Sequence, residues 1–261
     1  MTASSASPWP YPRWIAHRGA GKLAPENTLA AMRLGASHGY RMFECDAKLS
    51  ADGIAFLMHD AELARTTNAA EALGPGASDI GGAHSWHTLS QLDAGSWHAR
   101  QYAGEPLPTL QAVARYCRAN GHLLNIEIKP TPGTEWETGR AVANEAACWW
   151  RGAAIPPLLT SFDLPALQGA LASQPDLPRG LLIDALEDLP WSAWLQRATE
   201  LGCRSIVCNH GLWNRETVTS TQAQGLRCLS YTVNDAAEAR RLLELGTDGI
   251  ITDRVDLFSP A

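Results

Sequence analysis

The stretch Met42-Phe43-Glu44-Cys45-Asp46-Ala47-Lys48-Leu49 decides the fold. In an extended chain, successive side chains point to opposite faces. Glu44 and Asp46 therefore share one face, and Phe43, Cys45 and Ala47 take the other. In a barrel of parallel strands, the acids point inward and the apolar set lies under the surrounding helices. Two like charges this close are costly without a cation between them. Hard oxygen ligands favour Mg2+, Ca2+ or Mn2+ over zinc. A solvated strand edge with stray acids is the competing reading, and Glu and Asp are seldom buried unpaired.

Outward from this strand, short apolar runs alternate with longer helical patterns. Strands are expected at Trp14–His17, Met42–Leu49, Leu123–Ile128, Leu158–Ser161, Gly180–Ile183, Ser205–Cys208, Arg227–Thr232 and Gly249–Thr252. Helices are expected at Asn27–His38, Leu110–Asn120, Glu137–Trp150, Leu164–Ser173, Trp191–Leu201, Asn214–Gln224 and Ala236–Leu245. Asp163 and Asp235 suit helix N-caps, and Gly225 and Gly246 suit helix ends. Eight strands alternating with helices imply a parallel sheet of the α/β class. The chain has 261 residues, a length at which closure into a (β/α)8 TIM-type barrel is the expected outcome. A doubly wound open sheet is the alternative. It usually carries a Gly-rich phosphate fingerprint after its first strand, and His17-Arg18-Gly19-Ala20-Gly21 is not that fingerprint.

Residues 60–108 break the rhythm with turns, glycines and scattered Trp and His, and are expected to form a small subdomain inserted after the second strand at the strand-end rim. Residues 1–12, rich in Ser, Ala and Pro, are expected to be an extended or disordered tail. Residues 13–261 are then one barrel domain.

Hydrophobic residues make up 45% and charged residues 18%, as in an ordinary globular protein. The formal charge of -6 argues against nucleic-acid binding through the surface. It leaves room for an anionic small substrate, because one local metal reverses the sign inside a cleft. No apolar run is long enough to cross a membrane, and residues 1–12 contain no apolar signal core. The six cysteines form no CxxC pair and read as reduced, buried side chains, which favours a cytoplasmic location. Cys203 and Cys208, five apart on one expected strand, face opposite sides and do not bridge. No sequence feature sets an oligomeric state.

Asn125-Ile126-Glu127-Ile128-Lys129 repeats the logic of the second strand. Asn125, Glu127 and Lys129 share one face. Glu127 can complete a metal site and Lys129 can hold a phosphate oxygen, or the two can form a structural pair. His17 and His59 end apolar strands, where each is either a proton carrier or a core histidine. Cleaving a phosphodiester needs a base for the attacking oxygen and an acid for the leaving alkoxide, and two histidines can divide these roles. Arg18 can bind phosphate bidentately or pair with an acid at the rim. His84, His87 and His98 fit no metal spacing, His122 begins its strand at the far end, and His210 is either a substrate contact or a loop residue.

These residues fall within a longer ordered set. His17-Arg18-Gly19 is followed by Pro25-Glu26-Asn27-Thr28, then Glu44-Cys45-Asp46, Met58-His59-Asp60 and Leu63-Ala64-Arg65-Thr66-Thr67-Asn68. Leu92 to Trp97, Gly104 to Leu110, Asn125 to Lys129, Thr160 to Asp163, Tyr231 to Asn234 and Asp248 to Asp253 continue it. The series resembles the glycerophosphodiester phosphodiesterases from about Ile15 to the C-terminus. The resemblance implies a TIM-type barrel with one divalent cation, Mg2+ or Ca2+, and Mn2+ as a further candidate. It implies hydrolysis of small glycerophosphodiesters to sn-glycerol 3-phosphate and an alcohol. By the same resemblance Glu44, Asp46 and Glu127 hold the metal, His17 and His59 perform acid–base catalysis, Arg18 and Lys129 contact phosphate, and Glu26 orients its neighbours. It also implies a cyclic phosphate intermediate, formed by the glycerol's 2-hydroxyl. Tyr231 departs from the family, where Trp is common. Intact His17 and His59 argue against a non-catalytic phosphate-binding barrel. A metal-dependent amidohydrolase would carry HxH on its first strand, where this chain has His17-Arg18-Gly19.

Overall fold

The computed structural model describes residues 9–260. Its elements run in chain order as β1 (Trp14–Ala16), α1 (Leu29–Ser37), β2 (Met42–Leu49), β3 (Ala55–Leu57), α2 (Ala69–Ala72), α3 (Trp86–Leu89), α4 (Leu110–Asn120), β4 (Leu123–Ile128), α5 (Glu135–Trp149), β5 (Leu158–Ser161), α6 (Leu164–Ser173), β6 (Arg179–Ile183), α7 (Trp191–Glu200), β7 (Ser205–Asn209), α8 (Arg215–Ala223), β8 (Arg227–Tyr231), α9 (Ala236–Leu245) and β9 (Gly249–Thr252). Every strand except β3 is parallel to its neighbours. β1 pairs with both β9 and β2, so eight strands close into the expected TIM-type barrel. Closure of the eight parallel strands excludes the doubly wound alternative.

β3, a ninth strand beside the eight of the barrel, is the short apolar strand expected before His59, and it runs antiparallel on the upper half of β2 through Ala47↔Leu57 and Leu49↔Ala55. The lower half of that same edge of β2 belongs to β1, through Ala16↔Phe43. The chain thus climbs out of the barrel on β2, turns at Ser50–Ile54, and descends on β3 to the level of Asp46, whose carbonyl accepts the Met58 N–H at 3.0 Å.

Alternation along β2 sorts its side chains as expected. Phe43, Cys45 and Ala47 join Ala31, Met32, Leu124 and Ile126 beneath the helices. Inside the barrel, Ile15, Met42, Leu158, Val207, Leu229 and Ile251 fill the lower layers. Tyr11 is buried against them, with its hydroxyl donating to Pro156 O at 2.9 Å. Of the expected tail, residues 9–12 therefore pack under the barrel floor, and residues 1–8 lie outside the described residues. A filled floor leaves open space only at the C-terminal ends of the strands, where barrel enzymes place their sites.

Residues 58–108 carry a core of their own, with Met58, Leu63, Leu89, Leu92, Ala94 and Leu107 around Phe56. The Asp93 carboxylate accepts the N–H groups of Gly95, Ser96 and Gly104 at 2.8, 2.9 and 2.9 Å. Glu105 ties this lobe to the barrel by accepting the Ala30 N–H of α1 at 2.9 Å.

Asp235 caps α9 as expected, accepting from the amides of Ala237 and Glu238. Asp163 stands at the N-cap of α6 but makes no side-chain cap bond. Pro165 removes one of the two amides such a side chain can reach, and the other, of Ala166, is not engaged. All six cysteines are free, but Cys148 is exposed rather than buried. Val142 and Ala146 of α5 and its C-cap residue Trp150 are buried at a spacing of four, so Cys148 falls on the opposite face. Cys203 precedes β7 instead of lying on it.

α5 and α6 pack closely because glycines face each other's backbone. A Cβ at Gly139 would come within 1.9 Å of Ala166 O, and one at Gly169 within 2.3 Å of Trp136 O. Gly139→Ala is therefore expected to destabilise the fold by about 1–3 kcal/mol through overpacking. Urea unfolding followed by circular dichroism measures this, and an unchanged midpoint contradicts the packing argument.

Candidate active site

Three parallel strands and one descending strand deliver the site. The register Asp46↔Glu127 sets two inward carboxylates side by side on β2 and β4, with Glu44↔Asn125 one layer lower. Glu44, Asp46 and Glu127 each offer an oxygen within 4.8 Å of the others. Glu44 is 3% exposed and Asp46 is 1% exposed. Among the described residues, no other group of His, Cys, Asp and Glu side chains meets this way.

The loop from β1 to α1 wraps this cluster. Arg18 and Asn27 both sit in the left-handed backbone region, at φ 51° and 58°. There a side chain is strained unless its surroundings hold it. The Asn27 N–H donates to Arg18 O at 3.0 Å, which locks the pair. The Arg18 N–H then reaches Glu44 Oε2 at 2.9 Å. Asn27 clamps Asp46 twice, Nδ2 donating to Oδ2 at 2.8 Å and Oδ1 accepting the Asp46 N–H at 3.0 Å. The Arg18 guanidinium donates to Glu26 Oε1 at 2.8 Å and lies 3.5 Å from Asp46 Oδ2. Glu26 also accepts two bonds from Arg65, at 2.8 and 2.9 Å, so it braces both guanidinium groups.

Each histidine is oriented by a carboxylate. His17 Nδ1 lies 2.7 Å from Asp253 Oδ1, and Asn234 in turn holds Asp253 with Nδ2 at 2.9 Å. His59 Nδ1 lies 2.7 Å from Asp60 Oδ1, while Arg65 grips the other Asp60 oxygen. Both imidazoles line the same cavity, with Nε2 left to meet a ligand. Lys129 Nζ donates to Glu127 Oε1 at 2.7 Å and lies 5.2 Å from the centre of the Phe162 ring. The cavity holds about 150 Å³. Its walls include Arg18, Lys129, Phe162 and Tyr231, and its lower part includes Asn125, Thr160, Leu182 and Ile251.

The electrostatics follow from burial and crowding. Burial first, then the neighbouring Asp46 and Glu127 charges, push the Glu44 carboxyl well above its ordinary range. Burial and Asp46 also push Glu127 up. Burial works against the Asp46 charge, but Arg18, His59 and Lys129 together outweigh it and hold Asp46 below the usual carboxylate value. Burial lowers His59 below its usual 6.5, against the pull of Asp46 and with the help of Arg18. Glu44 Oε1 is buried and has no hydrogen-bond partner. An orphaned acceptor among crowded carboxylates is what a hard divalent cation satisfies, so the residues present fit a Mg2+, Ca2+ or Mn2+ ion.

The structure thus brings together His17, Arg18, Glu26, Glu44, Asp46, His59, Glu127 and Lys129 at one strand-end mouth. His210 stands apart, with Nδ1 2.6 Å from Glu238 Oε1 on α9, and does not line the cavity. Sequence reasoning passed over the roles of Asp60, Asp253, Asn27 and Arg65, although Asp60 and Asn27 adjoin His59 and Glu26, and Arg65 and Asp253 stand in quoted motifs. Only contacts across the fold reveal what each holds. It also passed over Lys48, 1% exposed, which donates to the His59 carbonyl at 3.3 Å.

The sequence profile of the glycerophosphoryl diester phosphodiesterase family matches residues 17–257. The Bacillus subtilis (strain 168) protein YhdW is 32% identical over 250 residues, covering 94% of this chain and 95% of its own. A glycerophosphodiester phosphodiesterase of Caldanaerobacter subterraneus subsp. tengcongensis is 30% identical, over 92% of this chain and 93% of its own. Among solved structures, an Oleispira antarctica phosphodiesterase in complex with the product sn-glycerol-3-phosphate superposes with a TM-score of 0.81 at 34% identity, over 93% of both chains. Profile, relatives and barrel agree along nearly the whole length, and the chain belongs to the glycerophosphoryl diester phosphodiesterase family.

Proposed function

We propose that the protein hydrolyses small glycerophosphodiesters to sn-glycerol 3-phosphate and an alcohol, in a reaction that depends on one divalent cation. The observation that carries this reading is the meeting of three buried carboxylates with two carboxylate-backed imidazoles at one cavity. Glu44, Asp46 and Glu127 would hold Mg2+, Ca2+ or Mn2+, and the ion when bound would neutralise negative charge on the phosphate. Arg18 and Lys129 face the same space and bind phosphoryl oxygens, Arg18 held in place by Glu26.

Proton transfer falls to the histidines. His59 is neutral near pH 7, with Nδ1 directed at Asp60, so its Nε2 can accept a proton. In the proposed first step the glycerol 2-hydroxyl loses its proton to one imidazole and its oxygen bonds to phosphorus. The bond from phosphorus to the alcohol oxygen breaks, and the other imidazole protonates that oxygen. Water then opens the cyclic phosphate with the two roles reversed. Asp253 and Asp60 fix which ring nitrogen faces the substrate. Six free cysteines support a reducing compartment, and we place the protein in the cytoplasm. Among the described residues, no helix is long and apolar enough to cross a membrane.

Release of glycerol 3-phosphate from glycerophosphocholine tests the activity directly. His17→Ala and His59→Ala should each lower kcat by about 10²–10⁴-fold with the fold intact by circular dichroism. Near-normal turnover in either variant rejects its acid–base role. EDTA should abolish turnover, and Glu127→Gln should weaken Mg2+ or Ca2+ binding by at least about tenfold in a calorimetric titration. An unchanged titration removes Glu127 from the metal site. Because the working form of His59 is the neutral one and burial lowers its pKa, kcat/KM should fall with acid only below pH 6.5. An acid limb centred above pH 7 contradicts this assignment.

A further inference from the structure

We infer that Asn125 reads the terminal hydroxyl of the substrate's glycerol and so is a specificity-determining residue, an inference that rests on the phosphodiesterase reading above. Asn125 is 1% exposed, points into the barrel from β4 and lines the lower part of the cavity. Thr160 on β5 is fully buried, and its hydroxyl donates to Asn125 Oδ1 at 3.0 Å. That bond commits the amide oxygen and fixes the amide's orientation. Nδ2 is left with no hydrogen-bond partner. A buried donor without an acceptor is costly and marks a position completed by something else.

The chemistry around Nδ2 selects what completes it. Leu182 and Ile251 line the same lower part of the cavity and offer no acceptor. Glu44 is the direct register partner of Asn125, and even a divalent cation held by Glu44, Asp46 and Glu127 would leave these three carboxylates with net negative charge beside an anionic oxygen at this depth. The cations that suit phosphate lie higher, since Lys129 is two inward positions above Asn125 along β4 and Arg18 lies on the loop above β1. A neutral hydroxyl accepts from Nδ2 and tolerates Glu44. With phosphate at the mouth, the 2-hydroxyl must lie against phosphorus to act as nucleophile. The terminal hydroxyl, one carbon further on, is the group that reaches the floor.

Two diesters separate these ideas: glycerophosphocholine, and the phosphocholine diester of propane-1,2-diol, which keeps the 2-hydroxyl and lacks the terminal one. The wild type should favour the first by about 10- to 100-fold in kcat/KM, because the second leaves Nδ2 unpaired. Asn125→Leu should bring the ratio close to unity, losing rate on the glycerol diester and gaining on its deoxy analogue. Should Asn125→Leu fail to fold, Asn125→Ser must show the same collapse. A wild type that cleaves both diesters equally, or a variant with the wild-type ratio, overturns the inference and leaves the phosphodiesterase reading standing. A wild type inactive on both overturns the two together.

Discussion

Mutual repulsion among three buried carboxylates governs the architecture of this site. Glu44, Asp46 and Glu127 are forced together by strand register, inside a barrel whose lower half is apolar. Like charges in a low-dielectric cavity are unfavourable unless cations, donors or protons offset them. The surrounding structure supplies the first two. Arg18 and Lys129 bring positive charge, and Asn27 and the Arg18 amide bring donors. The compensation is incomplete, as the orphaned Glu44 oxygen and the raised Glu44 carboxyl show. That imbalance makes the cluster receptive to a divalent cation.

The second constraint is the sharing of one strand edge. β1 occupies the lower part of the free edge of β2, and β3 occupies the upper part from the opposite direction. His17 leaves the top of β1 and His59 leaves the foot of β3. Two histidines 42 positions apart in sequence thereby line one cavity beside the acids. Each is backed by an aspartate from a different source: Asp60 is its immediate neighbour, and Asp253 follows β9 at the seam where the barrel closes. Closure of the barrel is therefore also what orients His17.

The lobe after β3 belongs to the same arrangement. Its first turn carries Asp60 and Arg65, and Arg65 ties Asp60 to Glu26 on the β1–α1 loop. The brace behind His59 and the brace behind Arg18 are thus one connected network. The lobe keeps its shape through its own small core and the Asp93 carboxylate, which gathers three backbone amides.

Alternation and spacing along the chain determined a good deal by themselves. Apolar runs of strand length between helical patterns dictated eight parallel strands, and period-two alternation dictated that Glu44 and Asp46 share a face with the apolar set behind them. These are local properties, set by backbone geometry within a few residues. Local pattern placed a short strand before His59 but not its antiparallel pairing on β2, because three apolar residues after a turn carry too little periodicity to specify a partner. It read Asp163 as a capping side chain, whereas that carboxylate makes no cap bond, and Pro165 removes one of the two amides it could have used. The tertiary structure alone decided that Glu127 meets Asp46, that Asp253 backs His17, and that Thr160 turns the Asn125 amide toward the cavity. Those outcomes depend on inter-strand register and on closure, which join residues tens to hundreds of positions apart and leave no trace in any short window of sequence.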